Sequence, residues 1–479
     1  MLRCCVLLAL FLPSAARGQS VELDEATRTY AEASWPLAKQ IWEWAEVGYK
    51  EQRSAKLLAD RLEKAGFRVE RGVAKIPTAF TATIGSGRPV IGIMGEYDAL
   101  PGLSQEAVPF RKPRPDGNAG HGCGHHLFGV ACLSACLALG ERIQAGSIKG
   151  TLRFYGCPAE EGGSARAFMV REGLFKDCDI ALHWHPSSSN SAGYRSNLAR
   201  IAVKFRFHGT SAHAAGSPEK GRSALAAVEL TNHAAHILRE HAPDFTRIHH
   251  VTTDGGGAPN VVPDFAEVFY YVRHPQADVA KTIYERLLKC AQGGALATET
   301  KLEVAYLGGT VQMVPNDTLA DLARKHLQAM NDIQYDDAEK QFGVRLQESL
   351  GAKPPPLDAV RRVLDSTGTD GKGSTDVSDV SWVVATGGFT TSCWVPGTPA
   401  HSWQAVAAGG TTIGKKGMVL AARVMSATAL DLFRDEKLVR AAQAEFRQRL
   451  DGRSYTPLIL PGQPPPLDYR DPTRRGLVE

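Results

Sequence analysis

Gly117-Asn118-Ala119-Gly120-His121-Gly122-Cys123-Gly124-His125-His126 is the stretch that decides how this chain is read. Three histidines and a cysteine fall within six residues, spaced by glycines. Thiolate and imidazole are the donors a borderline-soft divalent ion prefers. Glycine allows a tight, irregular backbone that a helix or strand does not. Residues 127–138, small and apolar, predict a buried helix directly afterwards. The candidate ligands therefore sit on a loop that opens onto a helix. Set against this is a Gly-rich turn holding a core cysteine and surface histidines.

The rest of the chain bounds the answer. Its 479 residues, 43% hydrophobic and 22% charged, suit a globular protein of two or three domains. A net charge of +4 is too small to point to nucleic acid or a membrane surface. Arg3, the apolar run 4–12 and the small residues Ser14-Ala15-Ala16-Arg17-Gly18 have the layout of a signal peptide cleaved after Gly18. The run is too short to span a bilayer, no later run reads as a span, and an exported protein, periplasmic or secreted, is expected. Without Cys4 and Cys5, seven cysteines remain, odd in number and irregular in spacing, unlike a disulfide framework.

Taken in order, residues 25–64 predict helices, and 80–84 and 89–94 predict strands. The second strand is continuously apolar, as in a sheet covered on both faces. It runs into Glu96-Tyr97-Asp98, where α/β proteins place their sites. A helix over 126–145 and a strand over 151–157 follow, ending in Glu160-Glu161. A strand over 179–182 then ends in His183-Trp184-His185-Pro186. Three successive strand ends thus carry metal-type or acid/base residues. From 199 the pattern alternates, the mark of a strand with one wet face. Strands and helices then follow in the order β-α-β-β-α-β, the ferredoxin-like pattern. The expected division is a signal over 1–18, a catalytic domain over 19–198 and 312–450, an inserted α+β domain over 199–311, and a Pro-rich tail over 451–479. Residues 350–375 predict a long loop of functional type.

Cys123, His125, Glu160, Glu161, His185 and His401 now stand together. They are too many donors for one catalytic zinc and suit a two-ion site in which one group bridges. One of the paired carboxylates can ligate while the other acts as general base; a solvated charge pair is the plainer reading.

At this point the sequence resembles the co-catalytic metallopeptidase and amidohydrolase family that contains carboxypeptidase G, aminoacylase and the indole-acetyl-amino-acid hydrolases. Within it, the similarity is greatest to the p-aminobenzoyl-glutamate hydrolase branch, of the B-subunit type. The stretches that carry the resemblance run in order. They include Gly95-Glu96-Tyr97-Asp98-Ala99-Leu100-Pro101, His121-Gly122-Cys123-Gly124-His125, Pro158-Ala159-Glu160-Glu161-Gly162-Gly163 and Trp184-His185-Pro186. Further on come Gly209-Thr210-Ser211-Ala212-His213, Pro259-Asn260-Val261-Val262-Pro263 and Pro399-Ala400-His401-Ser402.

The resemblance implies an α/β/α zinc-peptidase-like catalytic domain with an inserted ferredoxin-like dimerisation, or lid, domain. It implies that Cys123, His125, Glu161, His185 and His401 hold two divalent ions, Zn²⁺ or Mn²⁺. Glu160 would be the general base and Asp98 would orient a ligand. His213 would reach the partner's site and steady the oxyanion, and Asn260 and Arg273 would bind the substrate carboxylate. Glu96 stands where many relatives have a histidine ligand, with Cys123 compensating. The implied reaction is hydrolysis of N-acyl or N-aroyl amino acids by a homodimer, and a further implied partner is a second, related polypeptide. The rivals are a dipeptidase on the same centre and a catalytically silent metal-binding protein.

Overall fold

The computed structural model describes residues 14–115, 117–193, 196–351, 353–365 and 371–471. Most of the expected signal, residues 1–13, part of the expected 350–375 loop and residues 472–479 of the tail lie outside the described residues. Residues Ser14–Ala33 form one helix that runs through the expected cleavage point.

The central sheet has eight strands. In spatial order they are Arg68–Arg71, Phe80–Ser86, Gly150–Cys157, Val90–Glu96, Ile180–Ser187, Ala385–Ser392, Asn190–Ala192 and Val363–Asp365. The four middle strands, Gly150–Cys157 to Ala385–Ser392, run parallel. Their carboxyl ends therefore open on one edge of the sheet. Val90–Glu96 is buried at every residue, as a strand covered on both faces must be.

Helix His125–Gln144 lies on one face. It is long and apolar enough to cross a membrane, yet it is buried almost all round. A helix that is apolar on every side belongs inside a core. Helices Ser14–Ala33 and Thr412–Arg434 cover it. On the other face, Phe168 of helix Ala165–Arg171 joins Tyr155 and Phe175, whose rings stack 4.2 Å apart, in a second cluster.

The inserted part is a four-stranded antiparallel sheet in the order Arg247–Asp254, Phe265–His274, Ala199–His208, Lys301–Thr310. Helices Ala224–Arg239 and Ala277–Thr298 pack on it. This is the ferredoxin-like arrangement, so the fold class expected from the sequence is the one observed.

Three local expectations are corrected. Strand Ile180–Ser187 does not stop before His183. Pairing with Ala385–Ser392 carries it through His185 to Ser187. Strand Ala199–His208 has no fully wet face. Arg200 and Lys204 are buried because Arg200 donates to Ser164 and Lys204 pairs with Glu267. The 350–375 segment is not wholly loop: it holds a 3-10 turn, Leu357–Arg361, and strand Val363–Asp365.

A buried ion network ties helix Ala165–Arg171 and the Asp376 turn to the end of strand Val90–Glu96. Arg166 on helix Ala165–Arg171 is wholly enclosed. Its Nη2 lies 2.7 Å from Glu96 Oε1, and its Nη1 lies 2.5 Å from Asp376 Oδ1. Its backbone N–H also donates to Asp376 Oδ2 at 2.9 Å. Removing one partner from a buried pair leaves an uncompensated charge. Arg166→Met is therefore expected to lower stability by about 3–5 kcal/mol, read as a fall in the urea unfolding midpoint.

Candidate active site

The four parallel strand ends deliver the site. Strand Val90–Glu96 gives Glu96 and, just past it, Asp98. Strand Gly150–Cys157 leads to Glu160 and Glu161. His185 sits within strand Ile180–Ser187, and the loop after Ala385–Ser392 carries His401. The Gly-rich loop crosses their tips. Gly124 has φ +76°, and a Cβ there would lie 2.7 Å from Pro186, so the turn requires glycine. His401, itself at φ +57°, donates its backbone N–H to the Gly122 carbonyl at 2.9 Å. Two buried histidines fix the loop from behind. His121 Nε2 donates to the Ile41 carbonyl and His126 Nε2 to that of Gly409, each at 3.0 Å. Burial lowers both pKa values, that of His121 to about 3, so both rings are neutral struts.

Two donor groups share one atom. Cys123, His125 and His185 bring ligand atoms within 4.8 Å of one another, and so do Cys123, Glu161 and His401. Cys123 Sγ lies 3.3 Å from His185 Nε2, and His401 Nε2 lies 3.0 Å from Glu161 Oε1. Each imidazole is aimed by its other nitrogen. His125 Nδ1 pairs with Asp98 Oδ1 at 2.9 Å, and His185 Nδ1 donates to the Pro186 carbonyl at 2.7 Å. Asp98 also accepts the Glu161 backbone N–H on Oδ2, so one carboxylate sets two candidate ligands. His125 Nε2 and Glu161 Oε1 are buried and face other candidate ligands, Glu96 Oε2 at 2.9 Å and His401 Nε2 at 3.0 Å, as donor atoms converging on a cation would. The donor set fits divalent ions of the borderline-soft kind.

The electrostatics match. Burial, the largest single influence, pushes the Cys123 thiol up, but His185 and His125 together pull it down to about 6. Hydrogen bonds with Cys123 and Glu161 raise His401 to about 11. Burial and the charges of Glu96 and Glu161 push Glu160 well above the carboxylate range.

Sequence reasoning missed several contributors. Glu96 puts Oε2 2.9 Å from His125 Nε2 and forms a third donor group with His125 and Glu160. Glu51, buried and raised to about 8 by burial and by Asp98, accepts the backbone N–H of Ala159 at 2.8 Å. It holds the turn, at φ +52°, that aims the two glutamates. Arg200, Tyr271 and Arg470 complete the walls, and Arg166 stands enclosed behind Glu96. Glu96 lies in a quoted motif without having been assigned a role; no motif marks the others, which only the fold brings in.

A cavity of about 720 Å³ lies over the centre, lined by Cys123, Glu160, Glu161, His185, His401 and Arg273 among others. His213 and Asn260 are not in it. They sit exposed together on the inserted domain, where the Ala214 N–H donates to the Asn260 carbonyl at 3.0 Å. Arg273 is near one end of strand Phe265–His274, about 27 Å of extended chain from Phe265 at the other, and Asn260 lies beyond Phe265 again. Within one chain these residues do not meet. His213 Nδ1 accepts the N–H groups of Ala215 and Gly216, which leaves the proton on Nε2, pointing an N–H donor outward.

Because His401 carries a proton at neutral pH in the free site, ion uptake must displace it. Metal affinity is therefore expected to fall as pH drops from 8 towards 5. Calorimetry in buffers of differing ionisation enthalpy should show proton release on binding.

Comparison with known proteins gives the same picture. Residues 92–457 match the description Peptidase family M20/M25/M40. The chain is 39% identical over 461 residues to the B-subunit of p-aminobenzoyl-glutamate hydrolase from Escherichia coli (strain K12), covering 90% of this chain and 96% of that protein. It is 26% identical over 460 residues to the Xaa-Arg dipeptidase of Homo sapiens, covering 90% and 92%. Among solved structures, an aminobenzoyl-glutamate utilization protein from Klebsiella pneumoniae superposes with a TM-score of 0.60 at 18% identity, covering 86% of this chain and 98% of that one. A dinuclear metal-binding peptidase from Bacillus subtilis superposes with a TM-score of 0.54 at 17% identity, covering 86% and 99%. On the extent of the family match and the 39% relative, this chain belongs to peptidase family M20/M25/M40 and is a hydrolase of that family.

Proposed function

We propose that this chain hydrolyses the amide bond between an acyl or aroyl group and an amino acid, of the p-aminobenzoyl-glutamate kind, at a centre of two Zn²⁺ or Mn²⁺ ions. The observation that carries the reading is the pair of donor groups sharing Cys123 on the floor of an arginine-walled cavity. Cys123, His125, Glu161, His185 and His401 would hold the two ions. When bound, such ions supply Lewis acidity towards a carbonyl and ionise water near neutral pH.

The residues do the rest. Glu160, buried beside the centre and ionised once bound cations offset the carboxylates around it, takes the proton of the attacking water and passes it to the leaving nitrogen. Arg273 pairs with the carboxylate of the amino acid. His213 and Asn260, absent from their own chain's cavity, act in the site of a second copy, where His213 Nε2–H steadies the oxyanion. The inserted domain therefore carries the homodimer contact. A second, related polypeptide is a further partner, since the relatives include both kinds of p-aminobenzoyl-glutamate hydrolase polypeptide, the A-subunit as well as the B-subunit. The N-terminal pattern Arg3, 4–12 and Ser14–Gly18 supports export. The dipeptidase relative favours a second reading on the same centre. A substrate ending in arginine, however, would bring a cation towards Arg200, Arg273 and Arg470, which favours the acidic amino acid.

The test is metal content by mass spectrometry on purified protein together with amine release from p-aminobenzoyl-glutamate, other N-acyl amino acids and dipeptides. About two ions per chain and release from acyl-glutamates are expected. No bound metal after Zn²⁺ or Mn²⁺ is added would sink the reading. Glu160→Gln should cut kcat by about 10²–10⁴-fold with metal content unchanged.

A further inference from the structure

Residues 451–471 leave helix Glu436–Leu450 as a strap that crosses the inserted sheet and returns to the catalytic loop. The Tyr455 hydroxyl donates to Asp379 Oδ1 at 2.7 Å. The Tyr306 hydroxyl, on edge strand Lys301–Thr310, donates to the Leu458 carbonyl at 2.7 Å, and Gln463 Nε2 donates to the Tyr306 carbonyl at 3.0 Å. Leu458 and Ile459 are buried against Gly309 and Gly308, where an added Cβ would lie 3.0 and 2.9 Å from them. The strap then places Tyr469 edge-on to Tyr49, with ring centroids 5.8 Å apart. The Tyr469 hydroxyl and Arg470 Nη2 both donate to the carbonyl of Glu161.

Arg470 thereby becomes a wall of the catalytic cavity, with Arg200 and Arg273. The Tyr271 ring meets the other two guanidiniums, 5.0 Å from Arg200 and 5.6 Å from Arg273. Its hydroxyl and Arg470 Nη2 both border Gly162. Each arginine spends a terminal nitrogen on a neutral oxygen: Arg200 on Ser164 Oγ, Arg273 on Ser374 Oγ, Arg470 on the Glu161 carbonyl. Each leaves a buried Nε without a partner. Among the described residues, no carboxylate forms an ion pair with any of the three. Burial and the charge of Arg200 lower the Arg273 pKa, so these two cations feel one another. Like charges held together out of water persist at a cost that an anion removes. The guanidinium fork is matched to a carboxylate.

We propose that Arg200 and Arg470 form a second anion subsite beside Arg273, that it takes the side-chain carboxylate of a dicarboxylic amino acid, and that the strap is the specificity element that supplies it. This rests on the amidohydrolase reading above and assigns its selectivity to residues outside the metal motifs. The test compares N-benzoyl-glutamate with N-benzoyl-glutamine, equal in shape and different in charge, on the metal-loaded full chain. Arg470→Gln should lower kcat/KM for the glutamate substrate about tenfold more than for the glutamine one, chiefly through KM. Arg470→Lys should recover part of that difference. Arg200→Gln, on a strand of the inserted sheet, should show the same selective loss. Equal losses on both substrates would make the strap structural only and overturn the proposal, as would an unchanged ratio. If the wild type cleaves no acyl amino acid, the reaction reading fails and calorimetry decides the subsite. Glutarate affinity about tenfold weaker in Arg470→Gln, with butyrate affinity unchanged, supports it; glutarate binding equal in both proteins overturns it.

Discussion

Negative charge packed out of water is the constraint on which the structure depends. Glu51, Glu96, Asp98, Glu160 and Asp376 are all buried around the parallel strand ends, with Glu161 and the Cys123 thiol beside them. Such a group is tolerated only when each charge is paired, neutralised or held for a cation. Arg166 answers two of them directly. The histidines answer others, with Asp98 against His125 and Glu161 against His401. Glu51 and Glu160 answer by holding protons, as their raised pKa values show. The positions of helix Ala165–Arg171, of the Asp376 turn and of the Gly-rich loop all follow from this balance.

The same balance explains the backbone. Ligands from four strands converge only if the chain turns sharply at the sheet edge. Ala159 and His401 take left-handed conformations there, and Gly124 does the same beside Pro186. The Glu51 carboxylate and the Gly122 carbonyl hold the first two turns in place. Strain of this kind at a strand edge persists where surrounding contacts over-determine it. The rigid parallel sheet supplies those contacts.

The candidate ligands were legible because few residue types bind a borderline cation and because buried apolar strands announce their own ends. Cys123, His125, Glu161, His185 and His401 could be picked out without any contact map, and so could the ferredoxin-like order of the inserted sheet. What lay hidden was pairing across long stretches of chain. Arg166 meets Asp376 across 210 positions, and Arg470 meets Glu161 across 309. A lone arginine carries no periodicity and no spacing rule. The tail is a different case. Its prolines and charges suit an extended packed segment or a loose end alike, and it is the buried or bonded Tyr455, Leu458, Ile459 and Tyr469 that dock it. The alternating strand from 199 promised a wet face, and partners from distant segments dried it.

The strap adds a seat of its own to the contacts that join the inserted sheet to the catalytic layers, Arg200 to Ser164 and Arg273 to Ser374 among them. Any swing of the inserted sheet away from those layers would have to lift Leu458 and Ile459 off Gly309 and Gly308. Burying an apolar side chain of that size is worth about 1.5–3 kcal/mol. An enzyme whose product release needed such a swing would have its pace set in part by a segment that never touches a reacting atom.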